Sequence, residues 1–135
     1  MLRRLDINTS NRVEFQDITR IVRDAVADSG VKSGVCHVSV PHTTAALTVN
    51  ECADPDVVAD IIAELDRLVP RQGDYRHAEG NSPAHIKAML VGSSETLFIG
   101  HGELILGTWQ GIFFCEFDGP RNRKLLVKIV PDVSV

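Results

Sequence analysis

The spacing of apolar residues near the N-terminus predicts a helix between two strands. Residues 2–8 are interpreted as a strand. Residues 14–28 are interpreted as an amphipathic helix that ends before Gly30, because their apolar positions recur at intervals of three and four. Residues 34–40 alternate apolar and polar positions, which predicts a half-buried strand. The apolar positions of the helix are Phe15, Ile18, Ile21, Val22, Ala25 and Val26.

The middle of the chain predicts a second strand followed by a second helix. Residues 43–49 are β-branched and alternating, as in a strand. Asp54 has the character of an N-cap, and Pro55 suits the first helical position, so a helix is predicted to begin there and to end at Pro70. Its predicted buried stripe consists of Val57, Val58, Ile61, Ile62, Leu65 and Leu68.

The C-terminal half predicts a long loop, a short helix and a run of strands. Residues 71–81 have no apolar period and are rich in Gly, Asp, Asn and His, as in a functional loop. Ser82 and Pro83 begin a third helix, which includes Ile86, Met89 and Leu90 and ends before Gly92. Strands are predicted near 95–100, 103–108, 111–118 and 123–130. This order predicts an α+β fold, a single compact domain with a largely antiparallel sheet or sandwich and about three helices.

Composition narrows the class of protein without naming its function. A chain of 135 residues with 44% hydrophobic and 24% charged residues predicts one soluble globular domain over residues 1–135. A formal charge of −4 argues against nucleic acid as a partner. The apolar stretches fall far short of the roughly 20 residues that span a bilayer, so no membrane partner is expected. Three widely spaced cysteines fit a reducing cytoplasm better than a disulfide framework.

Three of the five histidines lie in polar, turn-rich sequence and are candidates for chemistry. His42 follows a proline at the start of a strand, His77 lies in the long loop, and His85 lies in the first turn of the third helix. Three neutral imidazoles and an open water position would describe a catalytic site for zinc or another divalent metal. Glu79 is a candidate general base. The alternative is structural: a solvated loop residue, a helix-end side chain and a capped turn residue.

Asn50 and Glu51 raise a question of geometry. An unbroken strand from His42 to Asn50 would span roughly 26 Å, so the Asn50-Glu51 pair and His42 cannot line one site within the chain. Three interpretations follow: the strand bends, Asn50 and Glu51 meet histidines of another subunit, or the pair organises the entry to the Asp54 helix.

A basic turn and a single tryptophan complete the candidates. Arg121, Arg123 and Lys124 follow the Asp118-Gly119-Pro120 turn and suit recognition of phosphate or carboxylate, with a solvated hairpin tip as the alternative. Trp109 lies between two glycines and is a candidate site wall.

Five segments stand out together: residues 42–51 (HTTAALTVNE), Asp54-Pro55, Tyr75 with His77, residues 79–87 (EGNxPAHIK) and residues 106–111 (LGTWQG). In combination they resemble the YjbQ-like family. The resemblance covers about residues 5 to 130. It implies a small α+β protein that forms homotrimers. It also implies secondary thiamine-phosphate synthase activity, which joins a hydroxymethylpyrimidine diphosphate to a thiazole phosphate and releases diphosphate.

The resemblance assigns roles to particular residues. It implies metal ligands at His42, His77 and His85, while His101 falls outside the matching segments. The divalent metal is expected to be zinc or magnesium. The catalytic candidates are Glu79 and Gln110, and the residues expected to bind a phosphorylated small-molecule substrate are Asn81, Ser82, Trp109, Arg121 and Arg123. The competing hypothesis is a non-catalytic trimeric protein that binds a metal or ligand.

Overall fold

The computed structural model describes residues 1–134 as two antiparallel sheets and three helices. The strands are β1 (Leu2–Asn8), β2 (Glu14–Asp17), β3 (Gly34–Ser39), β4 (Ala45–Glu51), β5 (Ser94–Gly100), β6 (Glu103–Leu104), β7 (Gln110–Glu116) and β8 (Asn122–Pro131). The helices are α1 (Thr19–Ser29), α2 (Pro55–Leu68) and α3 (Ser82–Val91). The larger sheet has the strand order β1-β8-β3-β5-β6, and the smaller sheet has the order β2-β7-β4. The α+β prediction is confirmed.

The main core contains apolar side chains from both sheets and from α1. Val38, Leu47, Phe114 and Leu125 come from four strands of the two sheets and are fully buried in it together with Val22 of α1. A second cluster joins the smaller sheet to α2 and α3 and includes Ala46, Ala84, Ala88, Phe113, Cys115 and Phe117. The smaller sheet is therefore covered on both faces, which explains why all of β7 after Gln110 is buried.

The first predicted helix begins too early. Residues 14–17 form β2, in which Phe15 pairs with Cys115 of β7, and α1 begins only at Thr19. The carboxylate of Asp17 accepts hydrogen bonds from the backbone N–H and hydroxyl of Thr19, which turns the chain into the helix. Gly30 ends α1 with a φ of 70°, a left-handed conformation that glycine adopts without strain.

The second helix begins as predicted but does not bury its apolar stripe. The Asp54 carboxylate accepts a hydrogen bond from Asp56 N, and Pro55 is the first helical residue. Within Pro55–Leu68 no side chain is fully buried; Val58 and Leu65 are partly buried against the second cluster, and Leu68 is exposed. The prediction of a buried stripe is wrong for this chain on its own, because few residues of the other elements lie against α2.

The third helix buries a charged residue. The Lys87 side chain is only 3% exposed; its ammonium group forms an ion pair with Asp66 of α2 and lies 5.9 Å from the centre of the Phe117 ring. The neighbouring apolar side chains of Met89 and Leu90 are exposed instead. Lys87 therefore links α2 to α3 beneath the surface.

The C-terminal strands follow the prediction except for one. The strand expected over 103–108 is only the two residues of β6, because the chain leaves the sheet after Leu104 and forms a turn in which Gly107 N donates to the Gln110 side chain. Among the helices described here, none has the length and apolar character needed to cross a membrane.

Candidate functional site

Seven of the residues predicted for the site line one cavity. The cavity has a volume of about 470 Å³ and lies where the start of β4, the loop before α3 and the turn before β8 meet; we call it the histidine chamber. Its walls are Pro41, His42, Thr43, Thr44, His77, Glu79, Asn81, His85, Arg121 and Arg123. Residues up to 82 positions apart in the sequence thus share one polar cavity, and all three candidate histidines are among them.

His42 is held by the backbone of β8. Its Nε2 accepts a hydrogen bond of 2.8 Å from Lys124 N. A ring nitrogen that accepts from an N–H group carries no proton, so the neutral ring has its proton on Nδ1. Burial and the nearby Arg123 guanidinium lower the pKa of His42, with Glu116 acting in the opposite direction. His42 is therefore a neutral imidazole with an N–H group available for donation.

His77 and His85 form a pair. Their ring centres are 5.5 Å apart and the rings are nearly perpendicular, at 86°. Glu79 approaches from the same loop, with a carboxylate oxygen 3.8 Å from Nε2 of His77. His85 is in place because α3 begins at Ser82, which puts the histidine in the first turn, beside the positive end of the helix dipole.

The histidines fit a metal ion only in part. Two imidazoles at the separation of His77 and His85 can share one ion, and Glu79 is close enough to assist them. The Nε2 of His42 is already engaged by Lys124 N, so coordination through that nitrogen would break a hydrogen bond. In residues 1–134 no set of three or more His, Cys, Asp or Glu side chains has the geometry of a metal centre.

Asn81 and Arg121 are oriented by one carboxylate. Asp118 accepts hydrogen bonds from the Asn81 amide (2.9 Å) and from the Arg121 guanidinium (3.0 Å), and its backbone carbonyl accepts from Nε of Arg121. The Asn81 amide must turn its NH₂ group toward Asp118, since a carboxylate only accepts. Its Oδ1 is buried, and no donor in residues 1–134 lies within hydrogen-bond distance. Oδ1 of Asn81 is therefore unpaired but has no exposed surface, whereas Arg121, half exposed, offers its remaining N–H groups.

Arg123 is committed to the interior. It is 4% exposed and donates to Glu116, which is fully buried at the end of β7, and to the Thr44 hydroxyl at 2.8 Å. Glu116 also accepts from the Thr9 hydroxyl and from Asp118 N. The charge of Arg123 is thus balanced in the interior, whereas Arg121, although paired with Asp118, is half exposed and is the guanidinium of the basic turn with N–H groups open to an anion.

Glu116 is a residue of this region that the sequence analysis missed. It follows four apolar residues, Ile112 to Cys115, and the strand pattern alone does not show whether the last position is buried. The signal was chemical: a carboxylate on a strand buried on both faces needs a cationic partner, and the basic turn that follows supplies Arg123.

Three predicted residues lie outside the chamber. Ser82 lines an adjoining cavity of about 370 Å³ together with Tyr75, His77, His85 and Ile86. Trp109 is 63% exposed, and Gln110 uses its side-chain oxygen to accept from Gly107 N. Trp109 and Gln110 stand near the opposite end of β7 from Glu116, six residues or roughly 20 Å along the strand.

Glu51 has a local role in the chain. Its carboxylate accepts hydrogen bonds from Ala53 N at 2.7 Å and from Asp54 N at 3.2 Å. The Asn50 side chain accepts from Glu51 N at 2.8 Å. Of the three interpretations of this pair, these contacts support organisation of the entry to α2.

Comparison with known proteins matches this fold over nearly the whole chain. The family described as UPF0047 protein YjbQ-like matches residues 3–132. A UPF0047 protein of Methanocaldococcus jannaschii is 52% identical, over 98% of this chain and 96% of its own. YugU of Bacillus subtilis is 47% identical, over 96% of this chain and 99% of its own.

Two solved structures agree with the same assignment. A crystal structure of an uncharacterised protein of the YjbQ/UPF0047 family from Clostridium acetobutylicum has a TM-score of 0.93 at 56% identity, covering 95% of this chain and 99% of that one. A protein of unknown function from Sulfolobus solfataricus has a TM-score of 0.93 at 32% identity, covering 98% and 97%. The fold is thus retained where two thirds of the residues differ.

Proposed function

Because the chain belongs to the YjbQ-like UPF0047 family, we propose that it is a metal-dependent enzyme that binds a phosphorylated small molecule in the histidine chamber. The observation that carries the proposal is the convergence of three imidazoles, a half-exposed arginine and a buried amide acceptor on one cavity. The reaction to test first is that of a secondary thiamine-phosphate synthase, a transferase that joins a pyrimidine diphosphate to a thiazole phosphate and releases diphosphate.

Arg121 is the proposed phosphate ligand. A guanidinium presents paired N–H groups that match phosphate oxygens, and Asp118 holds this one in a fixed orientation at the chamber wall. The Nδ1–H group of His42 is a second donor. Oδ1 of Asn81 lies buried and unpaired behind the same wall, an arrangement that costs about 1–3 kcal/mol.

His77 and His85 are the proposed metal ligands, with Glu79 beside them as a general base. Imidazole ligands favour zinc over magnesium, which prefers carboxylate and water oxygens. A divalent ion held there would supply Lewis acidity toward a phosphoryl oxygen. For His42, the family resemblance predicts a metal role, whereas its hydrogen bond to Lys124 N favours a role as proton donor.

Removal of both paired histidines tests this proposal. The His77→Ala/His85→Ala double variant is expected to lose its bound divalent metal and to lose turnover of the pyrimidine and thiazole precursors in the presence of Zn²⁺ or Mg²⁺. His37→Ala is the matched control, because His37 is an exposed histidine of β3, bonded to Thr96 outside the chamber. Metal content is measured by elemental analysis and turnover by chromatography of thiamine phosphate.

The same experiment distinguishes the enzyme from a binding protein. Full retention of metal in the double variant would overturn the assignment of the metal to His77 and His85. Loss of metal without any turnover by the parent protein would favour the alternative, a non-catalytic metal- or ligand-binding protein. The observation that favours this alternative is the close pair of imidazoles, which could bind a metal ion without catalysing a reaction.

We also propose that the protein works as a homotrimer. The partly exposed apolar stripe of α2 and the exposed Trp109 are surfaces that a neighbouring subunit would cover. Contact with a neighbour is also the way in which Trp109 and Gln110 would reach a chamber, since they stand far from it within one chain. Light scattering coupled to size-exclusion chromatography is expected to give three times the 14.8 kDa mass; a monomer would overturn this assignment.

A cytoplasmic location completes the proposal. Cys36, Cys52 and Cys115 are free thiols, and two of them are buried in the core. Burial raises the pKa of Cys36 to about 11 and also raises that of Cys115, so both remain protonated and act as small core residues. Free cysteines are typical of a reducing compartment.

A further inference from the structure

A second cavity adjoins the histidine chamber and differs from it in chemistry. It has a volume of about 440 Å³ and lies between α3 and the start of β4; we call it the apolar shelf. Its walls are His42, Thr43, Ala45, His85, Ala88, Met89, Gly92 and Ser93. It shares His42, Thr43 and His85 with the chamber, so the two cavities meet along a boundary made by two imidazoles.

The residues on each side of that boundary are of different kinds. On the chamber side, the walls that the shelf does not share include Glu79, Asn81 and Arg121, which are charged or polar. On the shelf side, the unshared walls are Ala45, Ala88, Met89, Gly92 and Ser93, which carry one hydroxyl and no charge. A ligand that fills both cavities would have a polar end in the chamber, where Arg121 favours an anion, and an apolar body on the shelf.

The inner surface of the shelf is formed by buried alanines and hydrogen-bonded backbone, and Met89 is its exposed wall. Ala45 and Ala88 are buried and form its inner surface. The carbonyl of Gly92 accepts from Leu47 N at 2.9 Å, and that of Ser93 accepts from Val40 N at 2.8 Å, which binds the end of α3 to neighbouring strands. Gly92 has a φ of 100°, which favours glycine, and a side chain there would meet no atom within 4 Å. The space is open and preformed.

From this arrangement we infer that the apolar shelf holds the uncharged ring of an organic phosphate whose phosphate group lies in the histidine chamber. The inference rests on the proposed function and extends it from a phosphate site to a two-part site. Met89 is the residue that determines affinity for the ring, because it is the large apolar side chain of the shelf and is 73% exposed before a ligand covers it.

Two probes separate the parts of the site: inorganic phosphate, which can occupy only the chamber, and phenyl phosphate, which carries a ring for the shelf. Calorimetry on the full-length protein is expected to show phenyl phosphate binding about tenfold more tightly than inorganic phosphate. Met89→Ala is expected to lower the affinity for phenyl phosphate about threefold and to leave the affinity for inorganic phosphate unchanged. Ser93→Phe is expected to fill the shelf and remove the whole advantage.

Leu90→Ala is the matched control. Leu90 follows Met89 in α3 and is 56% exposed, but it does not line either cavity. It is expected to bind both probes as the parent protein does. A thermal melt of each variant establishes that it is folded before its affinity is compared.

The outcomes distinguish this inference from the proposed function beneath it. Equal affinity for the two probes, or equal effects of Met89→Ala and Leu90→Ala, would overturn the apolar shelf while leaving phosphate binding intact. Arg121→Gln is expected to lower the affinity for both probes by a similar factor, because Arg121 is the proposed ligand of the phosphate group that both probes carry. Failure of the parent protein to bind either probe would overturn the proposed function and the shelf with it.

Discussion

The two ends of the smaller sheet use similar polar residues in different ways. At the chamber end, Glu116 and Arg123 are buried against each other and leave Arg121 and the histidines facing a cavity. At the far end, the side chains of Glu51 and Gln110 turn back onto the backbone of their own turns. The sequence has polar residues at both ends, but those at the chamber end line a common cavity, whereas Glu51 and Gln110 are engaged within their own turns.

The difference lies in which groups satisfy each carboxylate. Glu51 accepts hydrogen bonds from two backbone N–H groups of the residues that follow it, so all of these contacts lie within a single turn. Glu116 accepts from Arg123, Thr9 and Asp118 N, and so joins three separated segments around the chamber. A carboxylate of the first kind organises a helix entry, whereas one of the second kind positions the walls of a site.

The largest effect is expected from Glu116→Ala. Removing one partner of a buried ion pair leaves Arg123 uncompensated in the interior, which typically costs about 3–5 kcal/mol of unfolding free energy. Urea denaturation of the variant and parent protein measures the loss. Glu64→Ala is the control, because Glu64 pairs with Arg67 on the exposed surface of α2, and no measurable change is expected there.

A small loss in Glu116→Ala would contradict this account of the chamber end. It would mean that Arg123 finds water or another acceptor when Glu116 is absent, and that the pair does not hold the walls of the chamber. Weaker phosphate binding in a folded Glu116→Ala protein would instead support the positioning role.

A smaller effect is expected from Glu51→Ala at the far end. The variant loses the acceptor for Ala53 N and Asp54 N, and a lost cap of this type costs about 1 kcal/mol. Glu51→Gln keeps an acceptor oxygen and is expected to lose less. Chemical denaturation measures both, while phosphate affinity is expected to stay at the parent value. Loss of ligand binding without loss of stability would show that Glu51 meets the chamber of a neighbouring subunit, and would end the contrast between the two ends.

The sequence predicted the fold correctly where the spacing of apolar residues and the residues at the ends of an element indicated the same structure. Val38 and its strand alternate cleanly, and Asp54 with Pro55 marks the start of α2 to the residue. The position of Phe15 fits the apolar spacing of a helix and that of a strand. Its pairing with Cys115 of β7 is what places it in β2. The apolar stripe of α2 could not be placed from sequence, because burial depends on what lies against the helix and not on its own period.

The sequence indicated which residue types gather at the candidate site, but it did not indicate which of them contact one another. His42, His77 and His85 lie in polar sequence, and in the structure all three line one cavity, while their role as metal ligands stays a prediction. The engagement of His42 by Lys124 N and of Arg123 by Glu116 depends on how the two sheets and their connecting segments pack, across 82 and 7 residues of sequence, which no local pattern encodes. Tertiary pairing therefore decides which of the basic groups remain available to a ligand.

The smallest effect is expected in the pH dependence of stability. Burial and Arg123 lower the pKa of His42 in the folded protein, whereas in the unfolded chain the ring titrates near about 6.5. Below that pH the unfolded chain binds the extra proton more readily, so the contribution of His42 to stability is present above about pH 6.5 and declines as the pH falls. His42→Gln is expected to give a flatter curve of unfolding free energy between about pH 7.5 and 5.5, measured by urea titration. His37→Gln, on the exposed face of β3, should retain the slope of the parent protein. Identical slopes for the parent and His42→Gln would show that the ring accepts a proton in the folded state, which the hydrogen bond from Lys124 N to its Nε2 does not allow.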